Sequence, residues 1–367
     1  MSFAPTAPET LPATSALEHA KIWALHLLCF ALPLLTLAFV VTGPHPWYLA
    51  LASLSVIPIF AAIDNRSGPA RHLPAADLPS LPFDVVLVAL VALQLANVGL
   101  AARMVAHAGL FSADALATAV LVGANSAYSA IVVAHELIHR KSKAMQLLGR
   151  VLLWTVMYDH FFTEHVRGHH ARVATADDPA TSRFGETYGE FWKRTVPGQL
   201  RSAFRIEARR LGDEEMRWYD PRSLRSTVVH GIAAEIALSL AVFAIFGVAA
   251  GVAFLLQAYV AVRLLEAVNY FEHYGLRRTG KKVRPVDSWD SDSWFTLFAL
   301  VGLSRHADHH AYAARPYQSL RPWAESPKLP RGYVGMVILV LFNNTEARRL
   351  LEAELRRTKL GPFAEAV

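Results

Sequence analysis

The stretch VVHGIAAEIALSLAVFAIFGVAAGVAFLLQAYVAVRLLEAVNY occupies residues 228–270, and it decides the fold class. A helix needs about 20 apolar residues to cross the hydrocarbon core of a bilayer. This stretch is apolar over about twice that length, and glycines flank a short turn at 247–251. It therefore predicts two consecutive membrane spans, at about 228–250 and 252–270.

Four further apolar runs of span length precede this stretch, in a chain of 367 residues that is 53% hydrophobic. They lie at about 22–41, 47–63, 82–102 and 113–134. We therefore predict an all-α membrane protein with six transmembrane helices. The polar segments 135–227 and 271–360 should form a cytoplasmic helical cap. A flexible N-terminal segment, 1–20, should precede a single domain over 21–360.

The distribution of basic residues predicts the orientation of the chain in the membrane. The net charge is +6, with 36 lysines and arginines. Most of them fall in 140–225 and 277–359, while the turns at 42–46 and 247–251 carry none. Cytoplasmic segments of membrane proteins are enriched in Lys and Arg. This topology explains the basic balance better than nucleic-acid binding does, and it predicts a multi-pass protein of the inner (cytoplasmic) membrane with its cap in the cytoplasm.

Nine of the sixteen histidines gather at four places, two where spans meet the predicted cytoplasmic side and two in polar segments on that side, so all nine can converge on one layer next to the membrane. They are His135, His139, His165, His169, His170, His273, His306, His309 and His310. One metal ion takes roughly four to six ligands, so nine imidazoles suit two ions. Imidazole binds Fe, Zn, Cu and Ni alike, so ligand type alone leaves the metal open. The only cysteine is Cys29, so this chain builds no Cys-ligated iron–sulfur site, and electrons must come from another protein.

Ligating histidines usually donate their second ring N–H to a carboxylate or a carbonyl group. Four carboxylates and one further histidine lie close in sequence to the nine histidines. These candidates for outer contacts are Glu136, Glu164, Glu272, Asp308 and His160. An ordinary charge at a helix end is the alternative interpretation of each carboxylate.

Two other metal functions fit the pattern less well. His135-Glu136-x-x-His139 matches the zinc-protease motif, in which the glutamate is a general base. Such a site needs a further ligand, commonly an aspartate before glycine, and the chain has no Asp-Gly pair. A metal transporter should carry ligands within its spans, whereas these histidines gather at one face. Hydroxylase and desaturase chemistry remain.

Three histidine groups, written His-x3-His, His-x3-His-His and His-x2-His-His, resemble the membrane fatty-acid desaturase and hydroxylase superfamily. The sequences that surround these histidines resemble the integral-membrane alkane hydroxylases (alkane 1-monooxygenases). This resemblance runs from about residue 134 to 333. The segments that carry it are EHVRGHH at 164–170, VATADDPATSR at 173–183, NYFEHYGL at 269–276, LSRHADHH at 303–310 and RPYQSLR at 315–321.

The resemblance implies hydroxylation of a terminal or near-terminal C–H bond with O2. It also implies that the nine histidines ligate two non-haem iron ions, and that rubredoxin (or ferredoxin) with its reductase supplies the electrons. At 287–291 the chain has DSWDS where the family commonly has HSWNS. This departure indicates a divergent branch, so an ether, a terpene, an aryl-methyl compound or a branched alkane stays open as substrate, as does desaturation.

The predicted substrate site is an apolar cavity between the spans, on the membrane side of the metals. The second predicted span is rich in small residues. We predict that Ser53 faces the cavity and leaves room for a long substrate. Small residues that permit close helix packing are the alternative interpretation.

The predicted docking site for the electron donor is a basic segment that follows the sixth span. Rubredoxins are acidic, and charge complementarity steers the association of proteins. We therefore predict that Arg277, Arg278, Lys281 and Lys282 contact the donor. The same side chains would also serve as the positive charges of a cytoplasmic segment.

Overall fold

The computed structural model describes residues 15–71, 73–75 and 77–364. Within these ranges the chain is helical and has no strand, only two isolated β-bridges, which confirms the all-α class. Five helices are long and apolar enough to cross a membrane. With all helices numbered in chain order, they are α1 Ala16–Thr42, α2 Trp47–Arg66, α3 Ser80–Ala108, α4 Ala113–Ile138 and α8 Thr227–His273.

The remaining helices belong mostly to the polar segments. They are α5 Lys143–Trp154, α6 over 160–172, α7 Tyr188–Arg210, α9 Trp294–Ala299, α10 His306–Ala311, α11 Tyr333–Phe342 and α12 Asn344–Thr358. Ser15 caps α1 by accepting a hydrogen bond from Glu18 N at 3.2 Å. The end of the predicted flexible segment 1–20 is therefore helical, and its residues 1–14 lie outside the described ranges.

The last two predicted spans, 228–250 and 252–270, both lie within α8, which has 47 residues. The helical backbone is interrupted at Gly247, where φ is 83° and ψ is 179°. Glycine adopts this conformation readily because it has no Cβ atom. The helix therefore consists of two helical arms joined at a sharp kink.

Side-chain contacts show that the two arms of α8 fold back on each other. A Cβ atom on Gly251 would lie 2.4 Å from the ring of Phe243, although eight residues of straight helix span about 12 Å. The arms also reach the same short segment, 155–159. Glu235 accepts a hydrogen bond from the backbone N–H of that segment at 2.5 Å, and Gln257 donates to a carbonyl there at 2.8 Å. The α8 helix is therefore a hairpin whose two ends lie on the same side.

A buried carboxylate joins the hairpin to the cap. Glu266 is fully buried. Its Oε1 atom accepts hydrogen bonds from the Tyr158 hydroxyl and the Gln199 amide, both at 2.9 Å, and its Oε2 atom accepts one from Asn269 at 3.2 Å. A buried charged group is tolerated when its hydrogen-bonding capacity is satisfied. These bonds hold α7 and the segment around Tyr158 against the second arm of α8.

The α11 helix, Tyr333–Phe342, was not predicted because its ten apolar residues are too few to span a bilayer. It packs against α2. Asp64, at the end of α2, accepts hydrogen bonds from Val334 N (3.0 Å), Thr296 Oγ1 (2.7 Å) and Ser293 Oγ (2.5 Å). This carboxylate therefore fastens α2, α9 and α11 together beside the candidate site.

Candidate metal centre

All nine predicted ligand histidines meet in one cluster, where they form two groups. The ligand atoms within each set below lie within 4.8 Å of one another. The first group is His135, His139, His165, His170 and His309. The second group consists of two overlapping sets that share His273. His169, His273 and His310 form one set, and Glu272, His273 and His306 form the other; the 4.8 Å limit holds within each set. Sequence alone did not predict this division.

Local helix geometry explains which histidines share a group. His135 and His139 are four residues apart at the end of α4, so they lie on one helix face. The α6 helix contains a π-helical turn, His165–His169. A π turn brings residues five apart into line, and the Nε2 atoms of His165 and His170 are 3.0 Å apart. The π turn therefore places His165 with His170, although an α-helix would align it with His169.

Each His-His doublet contributes to both groups. In α6, His169 belongs to the second group and His170 to the first. In α10, His309 belongs to the first group, while His310 turns to the second, where its ring centroid lies 4.4 Å from that of His306. The two groups are therefore in direct contact along both doublets.

The ring nitrogens approach one another as ligands around a cation do. The Nε2 atoms of His170 and His309 are 3.1 Å apart, and those of His273 and His306 are 3.3 Å apart. The buried Nε2 atoms of His135 and His139 have no hydrogen-bond partner among the described residues. Buried polar atoms are normally paired, so these unpaired nitrogens indicate a bound ion.

The protonation state of the cluster also suits metal binding. Burial, together with the neighbouring histidines, lowers the pKa of His165, His170, His309 and His310 well below the usual value. Their imidazoles are therefore neutral at physiological pH, and each keeps a lone pair for a cation. The donor set fits a histidine-ligated metal centre.

Asp178 supports a ligand histidine from outside the cluster, and sequence reasoning missed it. Its Oδ2 atom lies 2.8 Å from Nδ1 of His169, and both side chains are buried. Burial raises the pKa of Asp178, but its contact with His169 and the hydrogen bond from Thr181 hold it at about 2. An ionised carboxylate at Nδ1 leaves Nε2 of His169 as the metal-binding nitrogen.

Of the predicted outer carboxylates, Glu272 contacts a ligand histidine. Its Oε2 atom lies 3.3 Å from Nε2 of His306, and its Oε1 atom accepts a hydrogen bond from the Tyr333 hydroxyl at 2.9 Å. Glu272 is therefore close enough to the second group to serve as a ligand itself.

The other predicted outer contacts have different partners. The three remaining carboxylates form ion pairs with arginines, namely Glu136 with Arg140 (2.8 Å), Glu164 with Arg172 (2.6 Å) and Asp308 with Arg315 (2.5 Å). His160 is buried, and its ring packs on Tyr158. The three ion pairs are local, since each joins residues within one helix or links a helix to the segment that follows it. They also occupy Glu136, the residue that a zinc-protease mechanism would need as a base.

An apolar cavity of about 700 Å³ leads to both groups of histidines. Side chains from α1, α2, α4, α8 and α11 form its walls. His135 and His165 of the first group and His306 and Glu272 of the second line its inner end. Cavities of this size and apolar character are typical of small-molecule sites.

Ser53 does not line this cavity, whereas the next residue, Leu54, does. The Ser53 hydroxyl donates a hydrogen bond to the Ala50 carbonyl at 2.6 Å. A 3-10 turn, Ser53–Ser55, interrupts α2 and changes the direction in which successive side chains point. At this turn of α2, Leu54 therefore lines the cavity in place of the predicted Ser53.

The predicted docking residues are at the surface near the cluster. Arg277, Lys281 and Lys282 are exposed. Arg278 is half-buried, and it donates a hydrogen bond to the carbonyl of Ala171 at 2.8 Å. Because Ala171 follows the doublet of α6, this basic segment reaches the backbone next to His169 and His170.

Long apolar helices that end at a buried cluster of imidazoles define a multi-pass membrane protein with a metal-binding centre. Residues 110–339 match the fatty acid desaturase family, and this segment contains all nine histidines.

Curated relatives narrow the family further. The chain is 43% identical over 226 residues to alkane 1-monooxygenase 1 of Pseudomonas aeruginosa, and 39% identical over 215 residues to alkane 1-monooxygenase of Acinetobacter baylyi. These alignments cover 58% and 57% of this chain but only 56% and 52% of the relatives, so the chain spans about half their length. Alkane 1-monooxygenase 2 of Pseudomonas aeruginosa is 35% identical over 311 residues, which is 81% of both chains. The chain belongs to the alkane 1-monooxygenase family.

Proposed function

We propose that this protein is a non-haem di-iron monooxygenase. It hydroxylates a terminal or activated C–H bond of an alkane or alkane-like molecule, with O2 and electrons delivered by rubredoxin or ferredoxin. Family membership supports the reaction class, because the relatives are named alkane 1-monooxygenases.

One observation carries the proposal. The inner end of the apolar cavity is lined by histidines of both groups, which are His135, His165 and His306. A substrate that fills the cavity would present one end to both metal ions at once. Its remaining length would contact aliphatic and aromatic walls, which recognise shape and apolarity and offer few hydrogen bonds.

The division of the ligands follows the two geometric groups. The first iron would be held by His135, His139, His165, His170 and His309. The second would be held by His169, His273, His306 and His310, with Glu272 next to it. When bound, the irons supply the O2 activation that breaks an unactivated C–H bond, which protein side chains cannot do.

The protein itself keeps water out of the site and holds the ligand side chains in position. Apolar side chains of the cavity exclude water from the inner end, which prevents side reactions of the oxidant. Glu272 is held by Tyr333, and His169 is held by Asp178. Ligands fixed in this way keep their geometry while the substrate binds.

The fold also supports a topology of six crossings with a cytoplasmic cap. The two arms of the α8 hairpin would each cross the bilayer, and Gly247 would lie at the far surface. The histidine-bearing ends of α4 and α8 would then share the inner surface, where the basic segments satisfy the positive-inside rule. An apolar substrate would enter the cavity from the bilayer of the inner membrane.

The electron donor would dock on the cytoplasmic face of the cap. Arg277, Lys281 and Lys282 provide an exposed basic surface, and Arg278 connects it to the backbone beside His170. An acidic donor would be steered there by charge, so salt should slow its association.

Purified protein in lipid nanodiscs tests the proposed function. We expect about two iron ions per chain. When octane, ¹⁸O2 and reduced rubredoxin are supplied, octane should yield an alcohol that carries one ¹⁸O atom, while the second leaves as water. His135→Ala and His306→Ala should each reduce the iron content, because the first removes a ligand of the first group and the second removes a ligand of the second group. A wild-type protein that binds zinc in preference to iron, or forms no oxygenated product, would refute the proposal.

The products separate the alternatives within the superfamily. An alkene without ¹⁸O would indicate a desaturase. Oxidation of p-xylene, a terpene or an ether in preference to alkanes of any length would keep the reaction class but change the substrate. A panel of these compounds, compared at equal concentration by mass spectrometry, distinguishes the outcomes.

A further inference from the structure

We propose that Trp323 and Tyr312 form the aromatic anchor on which the electron donor docks, with the basic segment 277–284 as its rim. This inference rests on the proposed function, because it identifies the surface through which an acidic electron-carrier protein reaches the metal centre.

The two aromatic rings form a stack beside the helix that carries three metal ligands. The ring centroids of Tyr312 and Trp323 are 6.2 Å apart, and the ring planes differ by 13°. The guanidinium of Arg315 lies 4.4 Å from the centroid of the Tyr312 ring. Tyr312 is 42% exposed, and Trp323 is half-buried. Trp, Tyr and Arg are the residues most enriched at the energetic centres of protein interfaces.

Asp308 connects this stack to the ligands. Asp308 lies in α10, between His306 and His309 in the sequence, and its side chain is fully buried. Its carboxylate accepts a hydrogen bond from Nε1 of Trp323 at 2.7 Å and two from Arg315 at 2.5 and 2.6 Å. The tryptophan is thus held in a fixed orientation before a partner arrives, which reduces the entropic cost of binding.

The basic rim lies next to the aromatic anchor. The segment RRTGKKVR at 277–284 contains five basic residues and no acidic one. Ser326, three residues after Trp323, donates a hydrogen bond to the carbonyl of Pro285 at 2.9 Å. Residues 285–287 also pack against α10. The anchor and the rim therefore flank the same ligand-bearing helix, and their combined chemistry suits a small acidic protein.

The arrangement predicts different effects for the anchor and the rim. Buried aromatic contacts at the centre of an interface govern the dissociation rate, whereas charges at its edge govern the association rate and its salt dependence. Substitution of Trp323 should therefore accelerate dissociation of the donor. Lys281→Ala and Lys282→Ala should mainly slow association at low salt.

The experiment measures binding of purified oxidised rubredoxin to the iron-loaded chain in nanodiscs by biolayer interferometry. Trp323→Ala should weaken binding by about 30-fold, and Tyr312→Ala by about fivefold. Trp323→Phe, which keeps a ring but loses the bond to Asp308, should fall between Trp323→Ala and the wild type. The control is Trp218→Ala, which removes a tryptophan that is 76% exposed in the segment between α7 and α8 and should change affinity by less than about twofold.

Iron content and thermal stability separate docking from folding. If Trp323→Ala loses iron, its weaker binding could come from a damaged metal centre. Tyr312→Ala then tests docking, because the Tyr312 side chain makes no hydrogen bond to Asp308 and its removal should leave the metal centre intact. Unchanged rubredoxin affinity in both variants overturns the proposal. A Trp323→Ala variant that changes self-association or lipid binding but not rubredoxin affinity also overturns it. The proposed function is tested independently by wild-type protein that is reduced chemically and supplied with octane and O2. Docking can fail while that reaction succeeds.

Discussion

Removal of the Asp178 side chain should release one of the two iron ions that we propose and leave the other in place. Asp178 contacts His169, which belongs to the second group, and the distance between Oδ2 and Nδ1 is 2.8 Å with both side chains buried. Asp178→Ala would leave the Nδ1–H of His169 without an acceptor. It would also free the imidazole ring to rotate away from the metal.

The expected magnitude follows from these contacts. A buried N–H group that loses its only partner costs about 1–3 kcal/mol. Loss of an outer carboxylate typically weakens metal binding by about 10- to 100-fold, or about 1.4–2.7 kcal/mol. The two estimates agree. Because the first group makes no contact with Asp178 among the described residues, its iron should be retained.

The assay is a chelator titration of iron-loaded protein in nanodiscs, with iron per chain measured by mass spectrometry. Asp178→Ala should lose about half its iron at a chelator concentration about 10- to 100-fold below that needed by the wild type. The matched control is Asp177→Ala, because Asp177 is the adjacent residue and is exposed. Equal iron retention in the two variants would refute the reasoning. So would simultaneous loss of both irons at an unchanged melting temperature.

Three further outcomes follow from the cavity, the buried carboxylate and the hairpin. Leu54→Trp should shorten the longest alkane that is oxidised, since Leu54 lines the cavity, whereas Ser53→Trp should not; competition between alkanes of different length measures both. Glu266→Gln should destabilise the protein by about 1–3 kcal/mol, because its new N–H donors would face donors from the cap; thermal unfolding in nanodiscs tests this, and no change in stability would contradict it. Gly251→Ala should lower the melting temperature through a clash with Phe243. Phe243→Ala should then restore part of the loss, and no rescue would argue against a hairpin.

The spans and the histidine cluster were predictable because each has a signal within a short stretch of sequence. An apolar run of about 20 residues has few alternatives to a membrane helix. Imidazoles at four places, two at span ends and two in polar segments on the same predicted side of the membrane, could be expected to meet. The strongest signals were thus length and residue type, neither of which depends on side-chain direction.

Features that depend on helix phase could not be predicted. The 3-10 turn Ser53–Ser55 directs Leu54, and not Ser53, into the cavity. The π turn His165–His169 pairs His165 with His170. Each turn departs from 3.6 residues per turn, so extrapolation from an ideal helix fails beyond it.

Other features could not be predicted because they depend on contacts between residues that are not adjacent in the sequence. Asp178 is nine residues from His169, in a loop, and nothing in its neighbourhood distinguishes it from the exposed Asp177. The α11 helix has only ten residues, and its packing partner α2 is far away in the sequence. Such contacts require the tertiary structure.

The shared doublets have a consequence for any attempt to rebuild this centre. In His169-His170 and in His309-His310, adjacent residues belong to different groups of the candidate metal centre, and adjacent Cα atoms are about 3.8 Å apart. Two single peptide units would therefore limit the separation of the two metal ions that we propose. An engineer who transplants the centre into another scaffold must carry over both dipeptides intact. Because no exchange of side chains can lengthen a peptide unit, a large change in the distance between the two groups would require new backbone.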